Sequence, residues 1–217
     1  MNSHMYTEVA SAPGVWFAAL RPQFGTSQET VVAALTDACT DQVPVSALVA
    51  DDRDGVNEVI LTRDPSITHG TPATADCVAF ARNLADTHGW TYGTGFGPAD
   101  GPSAGRDIGA SGVIVLMGLR EGYFRDANEY SVREVHERLA LHHVTVYQLH
   151  TGWLFSARRL AGSVRTHDEP AALIRVSAAD LEEVAGVAFS FGQMRLIVAD
   201  LDDNRTYVLR QPIEHTR

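Results

Sequence analysis

The side chains of this sequence best suited to chemistry gather behind two strands that end alike. Leu20-Arg21 and Leu119-Arg120 close the first apolar strand of each half of the chain, and Glu121, Tyr123, Arg125 and Glu129 follow the second of them. That second loop runs for about eleven residues, against about five after Arg21. A lengthened loop on one copy of a repeated framework is where a site is expected, because loops carry functional groups that rigid elements position. Arg21 and Arg120 would grip a carboxylate through forked hydrogen bonds. Glu121 is then the candidate general base and Tyr123 the candidate acid or hydrogen-bond donor, if burial shifts them.

His136, His142, His143 and His150 fall close together and invite a metal. The spacing argues against one. If Val144 to Leu149 is a strand, His143 and His150 stand ~23 Å apart at ~3.3 Å per residue, and a helical His136 still needs ligands from elsewhere. No metal is expected. His150 ends its strand at a Thr-Gly break, a position that suits a catalytic imidazole, and completes the expected set Glu121, Tyr123 and His150.

The stretch from Gly93 to Gly112 holds seven glycines and two prolines. In an extended chain Trp90, Tyr92, Thr94 and Phe96 share one face while Thr91, Gly93, Gly95 and Gly97 leave the other almost bare. Gly93 and Gly95 would let a ligand lie against backbone, and Arg106 would reach it from a Gly-hinged lid or linker. No helix follows these glycines, so they are not a dinucleotide fingerprint.

Composition narrows the chemistry further. All 17 basic residues are Arg and none is Lys, which excludes a Schiff base, a PLP anchor and a P-loop. A formal charge of -10 with scattered arginines speaks against nucleic acid. The longest apolar run, Gly112 to Leu119, is too short for a membrane span, and the chain reads as soluble and cytoplasmic. Cys39 and Cys77 stand alone in alanine-rich helical stretches and read as small core residues. No nucleophile elbow or HExxH occurs.

The elements that must position these groups follow from hydrophobic period. Strands are expected at Gly14 to Leu20, Val43 to Ala50, Asn57 to Arg63 and Trp90 to Gly97. Helices fill Ser27 to Cys39, capped by Thr26 with Glu29, and the stretch from Thr71-Pro72 to Gly89. The order repeats with Gly112 to Leu119, a helix from Ser131 to about His142, strands at Val144 to Leu149 and Ala171 to Val176, a helix after Ser177, and Met194 to Asp200. Trp153 to Leu160 extends or pairs with the strand before it, and Tyr207 to Arg210 adds one more. The fold class implied is α+β, two tandem ferredoxin-like β-α-β-β-α-β halves packed as a pseudo-twofold body. The halves would be residues 6–97 and 112–210, with 98–111 as linker or lid. In element order alone the chain resembles the dimeric α+β barrel proteins.

These features point to a small enzyme that needs no cofactor and applies acid-base chemistry to a carboxylate-bearing or aromatic small molecule, as a cyclase, isomerase or lyase. A homodimer would suit such a body. Two other readings stand beside it: a ligand-sensing or structural dimeric module without turnover, and a haem or flavin protein of the barrel kind with His136 or His150 as axial ligand.

Overall fold

The computed structural model describes residues 6–15, 17–40, 43–52, 54–66, 74–93, 111–119, 130–190, 192–193 and 195–212. Along the chain these form β1 (Thr7–Pro13), β2 (Phe17–Arg21), α1 (Gln28–Ala38), β3 (Val45–Asp52), β4 (Gly55–Thr62), α2 (Thr74–His88) and β5 (Thr91–Tyr92). There follow β6 (Val113–Gly118), α3 (Tyr130–Leu141), β7 (Val146–Leu160), β8 (Ser163–Val176), α4 (Leu181–Ser190), β9 (Arg195–Asp200) and β10 (Arg205–Arg210). No described helix is long and apolar enough to cross a membrane.

Local signals explain most of these boundaries. Ser27, rather than Thr26, caps α1, its hydroxyl accepting from Thr30 N at 3.3 Å. The far end of α1 is closed from outside, where Arg159 donates Nε and Nη2 to the Cys39 carbonyl at 3.2 Å each. Gly89, with φ at +64°, stops α2 as a left-handed residue should. α3 begins at Tyr130, one residue before the expected start at Ser131.

The expectation of two ferredoxin-like halves is overturned, and the tandem-repeat reading and the likeness to the α+β barrel proteins go with it. All ten described strands bond into one antiparallel sheet in the order β1-β10-β9-β6-β8-β7-β3-β4-β2-β5. The reason is the hairpin of β7 and β8, at 15 and 14 residues long enough to serve both sides. The last part of β8, Ala171 to Val176, pairs with β6, while Trp153 to Ala157 of β7 pairs with β3. An order of elements along a chain does not reveal which strand edges stay open, and here they join. β1, which no alternation announces, lies beside β10 at the end of the sheet remote from β2.

The sheet cannot lie flat. Alternation gives it two apolar faces, and the helices cover only one. Ala18, Leu20, Val49 and Leu61 pack under α1 and α2, and Val113, Val115, Met117 and Val198 pack under α3 and α4. On the opposite face Phe17, Leu48 and Ile60 meet Ile114, Leu116, Leu173, Ile197 and Val208 in one cluster that contains no helical residue. β4 and β9 are five strand steps apart, about 24 Å in a flat sheet at ~4.8 Å per step. The sheet therefore folds over and buries this inner face against itself.

A polar seam marks the closure. Asp64, just after β4 and with a side chain only 1% exposed, holds Arg195 of β9 at 2.8 Å. Its other oxygen accepts from Ser66 N at 2.8 Å and Ser66 Oγ at 2.6 Å, and Arg195 also donates to Ser66 Oγ at 2.8 Å. Arg63 donates Nη2 to the carbonyls of Pro13 and Gly14, where β1 crosses to β2. Asn204 accepts Val15 N at 3.1 Å through its side chain and Gly14 N at 2.7 Å through its carbonyl.

Asp64 is almost fully buried while the Arg195 side chain keeps 36% exposure, so Asp64→Ala, which removes the bonds to Arg195 and Ser66, is expected to lower the unfolding free energy by about 1–3 kcal/mol. His142→Ala, which breaks the exposed His142–Glu183 contact between α3 and α4, should cost under about 1 kcal/mol. Urea unfolding of both variants checks this, and an equal small loss would show that the seam does not hold the fold.

Candidate functional site

Arg106, Gly95, Arg120, Glu121 and Tyr123, like Arg125 and Glu129, lie outside the described residues. Gly93, Arg21 and His150 lie within them. Gly93 continues the edge beside β2, its N–H donating to the Ala19 carbonyl at 2.7 Å; a Cβ there would come within 3.0 Å of that same oxygen. The need for bare backbone at this position is thus a matter of close strand approach.

Arg21 and His150 are brought together by a residue that the sequence reading passed over, Glu58. His150 Nδ1 lies 3.3 Å from Glu58 Oε2, and Arg21 Nε lies 3.8 Å from Glu58 Oε1. His150 is on β7 and Glu58 on β4, with β3 between them, so their backbones are separated by two strand steps, roughly 10 Å. The contact exists because the intervening position is small. Ala50 pairs with Glu58 and shares its face, and it offers only a methyl group to pass. Beside it is Gly152, where an added Cβ would run into the Val49 carbonyl and lie 2.9 Å from Ala50 Cα.

His150 pairs across the sheet with Leu173, a member of the inner cluster, and so belongs to the face that the fold-over buries. Its side chain keeps 23% exposure, Glu58 keeps 15%, and Arg21 stands at the rim with 70%. Gln148 Nε2 is 2.8 Å from His150 Nε2. A carboxylate only accepts and an amide NH2 only donates, which assigns the proton to Nδ1, aimed at Glu58, and a lone pair to Nε2. Burial pushes the imidazole below its ordinary value of 6.5, and the Glu58 carboxylate opposes part of that shift. The result is a ring held neutral, oriented by a carboxylate, with its basic nitrogen turned toward an amide.

Other polar groups have simpler roles. Arg175, 5% exposed, donates Nη2 to the Ser111 carbonyl at 3.1 Å, and burial lowers its pKa. Burial pushes the Cys77 thiol up to about 11, so it is no nucleophile near neutral pH. His136 is exposed on α3. Among the described residues no three His, Cys, Asp or Glu side chains converge on a point where an ion could sit. A cavity of about 350 Å³ opens at the start of β7, lined by Ser111, Gly112, Tyr147, Ser177, Ala178 and Asp202. Tyr147 is the extra residue of a bulge in β7, a device that re-aims a side chain.

Glu58 and Gln148 carried a signal that could have been read. Glu58 shares its side of the strand with Ile60, which makes it a carboxylate on an inward face, and Gln148 and His150 are two apart on one strand. Comparison with protein-family models, with curated proteins and with solved structures finds no match, so the site is argued from its own geometry.

Because the folded state favours the neutral ring, the unfolded chain takes up the proton first. His150 therefore weakens the fold progressively as pH falls below about 6.5, down to its folded value. Histidine NMR titration should place its midpoint below 6.5, and Glu58→Gln should lower that midpoint further by removing the attractive charge. A midpoint that rises in Glu58→Gln would contradict the assigned contact.

Proposed function

We propose that this chain is a small enzyme working without a cofactor, by acid-base chemistry, on a carboxylate-bearing or aromatic small molecule, as a cyclase, isomerase or lyase. The observation that carries the reading is the Glu58–His150 contact at 3.3 Å in a half-buried position. A carboxylate on Nδ1 fixes the tautomer and stabilises the imidazolium that forms when Nε2 accepts a proton, which is the task of the orienting group in a base dyad. A lowered pKa keeps the ring unprotonated at neutral pH and available as a base. Arg21, shared with Glu58 yet mostly exposed, supplies a guanidinium at the mouth for a substrate carboxylate. Gln148 occupies the basic nitrogen in the unliganded chain, and a substrate bearing the reacting proton takes its place by rotation of the amide.

A second reading draws on the same amide. Both ring nitrogens of His150 are engaged, as they are in a histidine that serves structure, which favours a ligand-sensing module without turnover. It predicts saturable binding and no product.

The test is a metabolite screen read by mass spectrometry for both binding and conversion, followed by substitution. With a converted substrate in hand, His150→Gln is expected to lower kcat/KM by about 10² to 10⁴ and Glu58→Gln by a smaller factor, with both variants folded. Full activity in His150→Gln would remove the dyad from the mechanism, and binding without conversion would establish the second reading.

A further inference from the structure

The β7–β8 hairpin runs past the sheet that supports it. Pairing with β3 ends at Ala157, and among the described residues β6 reaches β8 only as far as Pro170, where Leu119 N donates to its carbonyl at 2.5 Å. From Arg158 to Thr166 the two strands pair only with each other, around a turn whose central residues Ala161 and Gly162 have φ of +49° and +81°. Arg159 on one face of this arm has a structural task, closing the end of α1.

The opposite face does not. Arg158 stands directly across from Arg165, with Ser156 across from His167 on one side and Leu160 across from Ser163 on the other. Like charges directly opposed on a sheet destabilise it, their Cβ atoms being about 5 Å apart. The chain has 27 acidic residues to 17 arginines, yet from Ala157 to His167 it has none. Both arginines are exposed, and neither side chain has a hydrogen bond or an ion pair among the described residues. The register sets the two arginines directly opposite one another, and an anion bound between them would relieve their repulsion.

The geometry points to a phosphoryl group: we propose that Arg158 and Arg165 form a clamp for one phosphate monoester, borne by a small molecule or by a phosphorylated side chain of another protein. A carboxylate has two oxygens, which a single guanidinium fork fills. A phosphate monoester has three terminal oxygens and a charge near -2, enough to accept from both forks and to cancel the repulsion between them. His167, 72% exposed and 3.8 Å from Glu169, adds a titratable donor at the next position on the same face.

The test follows the arginine Nε–Hε signals of the full chain by NMR. Titrations with inorganic phosphate, a phosphoserine peptide and its unphosphorylated form are compared with chloride at matched ionic strength. Saturable shifts at Arg158 and Arg165 with both phosphates, absent with chloride, support the clamp. Tighter binding of the phosphopeptide identifies a partner protein as the source, and equal binding identifies a small molecule. Arg158→Gln or Arg165→Gln alone should weaken binding by about tenfold, with unfolding by urea unchanged or slightly harder. Shifts that track ionic strength alike for chloride and phosphate would overturn the proposal. So would phosphate shifts that persist in the double variant, or a double variant that self-associates while the parent shows no selective shift, which would leave the arginines as guards of an open strand edge.

Discussion

An apolar sheet face without helices to cover it is the constraint on which the rest of this structure depends. Among the described residues four α-helices lie on one face of ten strands, and the residues of the other face, from Phe17 and Ile60 to Ile197 and Val208, would meet water if the sheet were flat. Burying such a face contributes about 25 cal/mol per Å² of apolar surface, the dominant favourable term available to a chain of this size. The sheet folds upon itself, and the long β7–β8 hairpin lets it do so without losing backbone pairing. Gly152, where β7 meets β3 too closely for a side chain, and the Asp64–Arg195 pair at the facing corner are the local consequences.

The same closure makes the site. On a flat sheet His150 and Glu58 would be two solvated groups two strand steps apart, worth little to each other. Folded inward at the margin of the apolar cluster, they are close enough, and dry enough, for burial to set the charge of the ring and for a carboxylate to set its tautomer. The margin matters as much as the burial. Arg21 stays in water on the far side of Glu58, so the cluster lies at the rim of the buried face.

How much of this was legible follows from what kind of information each feature needs. The helices α1, α2 and α4 and the strands β2 to β4 and β6 stand near their expected places, because period, caps and glycine stops are local and are written in sequence. Pairing is not local. β1 has no alternation to announce it, and the single sheet depends on which edges meet, so two separate halves were expected where one sheet exists. His150 was legible by type, although the strand break expected after it is absent, since β7 runs through it from Val146 to Leu160. Glu58 was readable as an inward carboxylate, but its partnership with His150 spans two strands and requires Ala50 between them, a relation that only the assembled sheet contains. The expected centre at Glu121 and Tyr123 lies outside the described residues; of the described candidates, Arg21 and His150 meet at Glu58.

The direct measure of the account is the tautomer of His150 at neutral pH, read from its two ring nitrogens by 15N NMR in the intact chain. The Glu58–His150 contact requires a neutral ring with the proton on Nδ1, facing Glu58, and a bare Nε2. A proton on Nε2 with Nδ1 bare toward the carboxylate, or an imidazolium at neutral pH, would contradict it.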